Sequence, residues 1–269
     1  MCELFAMSSA ALTTVRYELD AFAAEGGEGH LNRDGWGIMF AEERDAHVFR
    51  EAAPAGDSRL AKMVVEREIA CRHLMAHVRR ASRGMPLLAN THPFTRVHHG
   101  RPHHFAHNGT LHGIEKISEV RDLVPEQVGD TDSELAFLLL LSRLEAQAAP
   151  TGSAARFAIF TRFCAEMRDL GSANFLFFDG LTLYVHSDRR MFETPSGLTA
   201  PREPGLVTRH FSSHPVGKDW NAAGPKLRHV HPQTHVFASV PLDDEEWAPV
   251  PRGTTIALRD GQLISHSRG

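Results

Sequence analysis

The sequence has little cysteine. Its three residues, Cys2, Cys71 and Cys164, form an odd, sparse set that suits reduced thiols in the cytoplasm rather than a disulfide framework. It also lacks a long hydrophobic run: the longest, Leu135 to Leu141, is far too short to span a bilayer. The opening Met1-Cys2-Glu3-Leu4-Phe5 has neither the basic start nor the apolar stretch of a signal peptide. There is no basic excess. A net charge of −4 leaves nothing to neutralise phosphates, which argues against nucleic-acid and membrane partners. Internal repeats and a clear linker are missing too. The run His98-His99-Gly100-Arg101-Pro102-His103-His104 lacks the paired Cys/His spacing of a structural zinc site, so neither a metal nor a cofactor is expected.

With 269 residues, 42% of them apolar and 23% charged, the chain can bury a sizeable core. Hydrophobic periodicity predicts an opening strand at Cys2–Met7, a helix over about Thr14–Ala24, and strands at Trp36–Ala41 and Ala46–Arg50. Asp57-Ser58 can cap a helix to about Glu68, followed by a buried strand at Cys71–Val78 and a short one at His103–Ala106. Thr131-Asp132-Ser133-Glu134 has the form of a reciprocal capping box at the head of the clearest helix. Ala146 to Ala155 reads as a connection to a second, amphipathic helix over Ala154–Asp169. Short strands then follow, at Asn174–Phe178, Leu183–His186, Leu206–Thr208, His235–Ser239, Thr254–Leu258 and Gln262–Ile264. Strands, then two adjacent helices, then strands indicate sheets with helices packed outside, not a βαβ repeat.

Several residues admit a chemical reading beside a structural one. Methionine aminopeptidases generally remove Met1 before a small residue, which would leave Cys2 with a thiol and a free α-amine. An α-amine of pKa about 8 can take the proton of a thiol near 8.5, so base and nucleophile come on one residue. Alone, Cys2 is better explained as a small hydrophobe opening an edge strand, since many proteins begin Met-Cys by chance. Arg79 can clamp an α-carboxylate with its fork of donors, or simply cap its strand; Arg80 points the other way by strand alternation. Asn108-Gly109 suits a hairpin turn, and taken alone that reading wins, although a side-chain amide and a glycine N–H can also face a developing oxyanion. Asp132 suits a helix's first turn, and it can also bind an α-ammonium group. Trp36, after the turn Asn32-Arg33-Asp34-Gly35, can wall a pocket. Cys71 and Cys164 lie among apolar neighbours and read as inert core thiols.

In order along the chain stand Met1-Cys2-Glu3-Leu4, Arg33-Asp34-Gly35-Trp36-Gly37, Ala76-His77-Val78-Arg79, Asn90-Thr91-His92-Pro93-Phe94, His107-Asn108-Gly109 and Gly129-Asp130-Thr131-Asp132-Ser133-Glu134. This series resembles the class II glutamine amidotransferases, most closely their YafJ-like single-domain branch. The resemblance runs on through Ala238-Ser239-Val240-Pro241-Leu242 and Trp247 to cover nearly the whole chain, residues 2–269 as one domain. It implies an α+β fold, the four-layer αββα sandwich of the N-terminal-nucleophile (Ntn) hydrolases. It also implies Cys2 as nucleophile, Asn108 and Gly109 as oxyanion hole, Arg79 for the glutamine carboxylate and Asp132 for its ammonium, with Trp36 and His92 beside the substrate. Three departures stand out. Ala6 replaces a usual Gly, Arg33 directly precedes Asp34 where larger members carry Arg-Gly-x-Asp, and the family's synthetase domain is absent.

Glutamine or another γ-glutamyl small molecule is therefore the expected substrate, with ammonia released to solvent or to a separate ammonia-accepting enzyme. The ergothioneine-pathway γ-glutamyl amidohydrolases, which cleave a larger γ-glutamyl compound, also resemble the chain. Their N-terminus usually continues Cys-Arg-His, against Cys-Glu-Leu here. A catalytically silent binding or regulatory subunit is the remaining alternative.

Overall fold

The computed structural model describes residues 2–16, 32–81, 84–146, 152–211, 226–228, 233–242 and 246–269. Strict alternation along the first strand, β1 (Glu3–Arg16), sets the architecture: Leu4 and Ala6 face one way, Phe5 and Met7 the other, and all four are buried. A strand apolar on both faces must lie between two layers. β2 (Trp36–Ala41), β3 (Ala46–Glu51) and β4 (Ala70–Val78) join it on one side. Ser58 caps the intervening helix α1 (Arg59–Glu66), its hydroxyl accepting the Ala61 N–H at 2.9 Å.

The second sheet is built around β5 (Phe94–His98) and β6 (Arg101–Leu111). A short helix, α2 (Ser118–Arg121), leads to α3 (Asp132–Glu145), α4 (Ser153–Leu170), β7 (Gly171–Phe178) and β8 (Leu183–His186). The remaining strands are β9 (Glu193–Thr194), β10 (Gly197–Leu198), β11 (Leu206–Phe211), β12 (Lys226–Arg228), β13 (Thr234–Ala238), β14 (Ala248–Val250), β15 (Thr255–Arg259) and β16 (Gln262–Ser267). One sheet has the order β14-β11-β13-β1-β4-β2-β3, with β12 on the far end of β1; the other runs β16-β15-β8-β7-β6-β5. Every pairing in both is antiparallel.

Three cores follow from three interfaces. Leu4, Ala6, Met39 and Met75 of the first sheet meet Ala106, Leu176, Phe178 and Val185 of the second. Phe5, Ile38, Leu74 and Ala76 pack outward on Ala61 and Val64 of α1. Phe105, Phe175 and Phe177 pack on Phe137 of α3 and Phe160 and Phe163 of α4. The layers are thus α1, sheet, sheet, then α3 with α4, an α+β sandwich. The apolar run Leu135–Leu141 is the buried middle of α3, and among the described residues no helix is long and apolar enough to cross a membrane.

Some expectations are corrected. The helix expected from Thr14 is strand as far as Arg16, held by β12 pairing at Thr14; residues 17–31 lie outside the described residues. The capping box is half formed. The Thr131 hydroxyl accepts the Glu134 N–H at 3.2 Å, but the Glu134 carboxylate turns to the N–H groups of Val128 and Gly129 and to Arg96. Asn108-Gly109 makes no hairpin: both residues sit inside β6, opposite Asn174 and Ala173 of β7, so tertiary pairing overrides the local turn preference. The connection between α3 and α4 does join two helices, although residues 147–151 lie outside the described residues.

Candidate active site

Antiparallel register brings the start of β1 beside the end of β4, with Glu3 opposite Val78. Cys2 therefore meets the backbone just beyond β4. Its Sγ accepts the Arg80 N–H at 3.2 Å and lies 3.2 Å from the Arg80 carbonyl oxygen. The residue is partly exposed, yet burial pushes the thiol pKa up, opposed by the hydrogen bond from Arg80 and the nearby charge of Arg79. Cys71 and Cys164 are fully buried; burial raises the Cys71 pKa to about 12 and holds Cys164 well above the ordinary thiol range.

Cys2 faces a cavity of about 500 Å³. Gly109 and Thr110 of β6 form one wall, Gly171 and Ser172 of β7 another, and Arg80 and Arg189 complete it. Glycine at 109 is a steric necessity: a Cβ there would lie 1.8 Å from the Ser172 carbonyl oxygen and 2.6 Å from His107 Nε2. Asn108 is fully buried, and its Nδ2 donates to the Ser239 hydroxyl at 3.1 Å. That same hydroxyl accepts the Leu4 N–H at 3.0 Å, so Ser239 ties the cysteine strand to Asn108. Asn174 fixes Asn108 from the other side, its Nδ2 donating to the Asn108 carbonyl at 2.9 Å.

Arg79 and Asp132 do not line this cavity. Arg79 is 3% exposed, and its guanidinium donates to the carbonyls of Asp34 (3.4 Å), Met85 (3.1 Å) and Gly84 (3.2 Å). The Asp132 carboxylate accepts the Leu111 N–H at 2.5 Å, directly beyond the Gly109-Thr110 wall. Asp34 has a structural part: its carboxylate accepts the Ala81 N–H at 2.7 Å and its own N–H donates to the Arg79 carbonyl at 3.0 Å, which fixes the segment that holds Cys2. Arg33 is half exposed, with Asp57 3.9 Å away.

Trp36 does not line the cavity. Its ring lies in the core between the first sheet and α1, 1% exposed, with the indole N–H donated to Glu51 at 3.2 Å. Strand alternation puts it on the face opposite Cys2. His92 does not line the cavity either; it is buried edge-on against His77, with ring nitrogens 3.1 Å apart. Burial drives the pKa of His77 down to about 3 and that of His92 well below the ordinary value, so both rings are neutral at pH 7. His107, also depressed by burial, takes its tautomer from its partners: Nε2–H donates to the Ser172 carbonyl at 3.0 Å, and Nδ1 accepts from Ser133 at 2.9 Å.

Sequence reasoning assigned no role to Ser239 or to the pair Glu3–Arg190. That ion pair is buried immediately behind Cys2, with side chains 3% and 4% exposed. No local motif could have revealed it, since 187 positions separate the partners. Of the histidine-rich run, His98 and His99 gather with Glu145 at the β5–β6 turn, within 4.8 Å of one another and away from the cavity lining.

The sequence family described as glutamine amidotransferases class-II matches residues 1–268. YafJ of Escherichia coli is 38% identical over 182 residues, 67% of this chain and 70% of YafJ. An uncharacterised protein of Methanocaldococcus jannaschii is 29% identical over 272 residues, 98% of this chain and 71% of its own length. Among solved structures, a predicted glutamine amidotransferase of Pseudomonas aeruginosa superposes with a TM-score of 0.63 at 26% identity, covering 98% of this chain and all of that one (100%). The glutamine phosphoribosylpyrophosphate amidotransferase of Bacillus subtilis shares the fold, with a TM-score of 0.58 at 15% identity over 99% of this chain and 49% of its own.

Proposed function

Because the chain belongs to the class II glutamine amidotransferases, we propose that it hydrolyses the γ-amide of glutamine, or of a γ-glutamyl amide, through a thioester on Cys2. The observation that carries this reading is the juxtaposition of Cys2 Sγ with the Gly109 wall in one cavity, while Asn108 is clamped immediately behind it. With Met1 removed, the α-amine of Cys2 takes the thiol proton, and the thiolate attacks the γ-carbonyl carbon. The Asn108 amide carries two hydrogens; Ser239 occupies one, which leaves one for the oxyanion together with the Gly109 N–H. The protonated amine then gives its proton to the departing ammonia, and water hydrolyses the γ-glutamyl thioester to glutamate.

Arg79 takes the α-carboxylate in this scheme by exchanging loop carbonyls for carboxylate oxygens, and Asp132 takes the α-ammonium group. The carbonyls of Gly84 and Met85 make that exchange a movement of the segment after β4. The ammonia passes to cytoplasmic solvent or to a separate acceptor enzyme.

The test exploits the amine. A residue left in front of Cys2 turns the base into an amide that cannot accept a proton near neutrality. C-terminally tagged, processed protein should hydrolyse glutamine and be labelled by 6-diazo-5-oxo-norleucine at Cys2 alone, and an N-terminally extended form should do neither. Equal activity in both forms, or labelling at Cys71 or Cys164, would overturn the mechanism.

A further inference from the structure

The histidine-rich run lacks metal-ligand spacing along the chain, yet the fold gathers part of it around a carboxylate. β5 ends at His98 and β6 begins at Arg101, and these two are paired, so His99 and Gly100 form a two-residue turn. Their φ angles of 49° and 71° have the positive sign that a type I′ turn requires at both positions. Neighbours within a strand point to opposite faces. The turn cancels that alternation and swings the two rings together, with centroids 4.3 Å apart. Glu145, the last residue of α3, meets both: its Oε2 lies 3.5 Å from His98 Nδ1 and 3.0 Å from His99 Nε2. His103 packs edge-on against His98, with centroids 5.1 Å apart, and backs that ring. Its own nitrogens are engaged by the Arg101 carbonyl at 3.1 Å and by Arg156 at 3.0 Å, so it is not a further ligand.

Two imidazoles and a carboxylate suit zinc, whose bonds of about 2.0–2.2 Å put neighbouring ligand atoms of a tetrahedron about 3.4 Å apart. The two measured edges are already near that length, and all three ligand atoms lie within 4.8 Å of one another. The third edge closes by turning the His99 side chain, which is 64% exposed and free to rotate toward His98. Glu145 gains a reason to be where it is. A carboxylate at the negative end of a helix dipole is disfavoured, and a cation there is favoured. We propose that His98, His99 and Glu145 hold a zinc-like divalent ion, its remaining position open to solvent, which clips the β5–β6 turn to the end of α3. Imidazole donors favour this class over magnesium and calcium, which take oxygen ligands. None of the three residues lines the Cys2 cavity, so the clip is independent of the thioester mechanism.

The experiment titrates zinc chloride calorimetrically into the untagged full chain carrying Cys2→Ala, so that the active-site thiol does not compete for the metal. One saturable equivalent of zinc is expected, and magnesium chloride should give none. Cobalt(II) at the same site should show the visible absorption bands of a four-coordinate ion. His99→Asn and Glu145→Gln are then added singly. Removing even an outer partner of a metal ligand typically costs about 10–100-fold in affinity, so each substitution should weaken zinc binding at least about tenfold. Asn before Gly is a preferred pair for this turn, so His99→Asn removes the ligand and keeps the backbone. Zinc should also raise the melting temperature of the parent and leave both variants unmoved, because an ion bound only by the folded chain stabilises it. No saturable uptake at millimolar zinc overturns the proposal. So does uptake that either substitution leaves unchanged, which would place the ion on other histidines.

Discussion

Ser239 offers the most discriminating perturbation, because two buried donors depend on its one oxygen. It is 2% exposed, and its hydroxyl accepts the Leu4 N–H at 3.0 Å and the Asn108 amide at 3.1 Å. Leu4 and Asn108 are both fully buried, so Ser239→Ala leaves two donors with no water to replace the lost acceptor. At about 1–3 kcal/mol for each orphaned donor, the variant should lose about 2–5 kcal/mol of stability. For a domain of this size each kcal/mol moves the melting temperature about 2–4 °C, so a fall of roughly 5–15 °C is expected by calorimetry. Catalysis should suffer separately. Removing an oxyanion donor outright costs about 10²–10³ in kcat, and Ser239→Ala only unclamps it, so a fall of about ten- to a hundredfold is expected with KM little changed. The double-mutant cycle decides the matter. If Ser239 acts through Asn108, then Ser239→Ala should have almost no further effect on kcat in an Asn108→Ala background. A full and independent loss in that background, or wild-type kcat in the single variant, would refute the clamp.

Three further outcomes follow from the same geometry. Burial pushes His77 and His186 down to about 3, so the unfolded chain takes their protons first, near pH 6.5. Their stabilising contribution is complete above about pH 6.5 and falls as pH drops toward 3, by about 1.4 kcal/mol per pH unit for each; melting temperatures from pH 7 to 5 should decline, and less steeply in His186→Gln. Arg190→Met should cost about 3–5 kcal/mol in urea unfolding by stranding the Glu3 carboxylate, and adding Glu3→Gln should restore much of it; equal stability of the two variants would contradict this. Gly109→Ala should yield no soluble, active protein, since its methyl group meets the Ser172 carbonyl oxygen at 1.8 Å, whereas Gly100→Ala, with nothing within 4 Å, should lose only about 1 kcal/mol from its positive φ.

The sequence by itself determined the elements whose signals are local. Alternation marked Trp36–Ala41 and the buried β4, Ser58 and Thr131 marked helix starts, and an all-round apolar run marked the interior of α3. It also marked which residues can do chemistry, because a thiol at position 2 and an Asn-Gly pair carry their reactivity in their side-chain and backbone types. What it could not determine was their surroundings. Asn108-Gly109 has the local preference of a turn, and only pairing with Asn174 and Ala173 makes it strand; a ladder of eight paired positions outweighs one dipeptide's preference. Trp36 alternates correctly as a strand residue, but which sheet face meets helix and which meets the second sheet is a property of the packed layers. The same holds for the charges. Arg79 and Arg80 are adjacent in sequence, yet packing buries the first among loop carbonyls and turns the second to the wall beside Cys2. Ser239, Arg189 and Arg190 reach the site from the far end of the chain, and no local pattern encodes contacts made across 235 or 187 positions. Those contacts exist only once the antiparallel register has been closed, because hydrogen bonds and desolvation act on distance in space and not on distance along the chain.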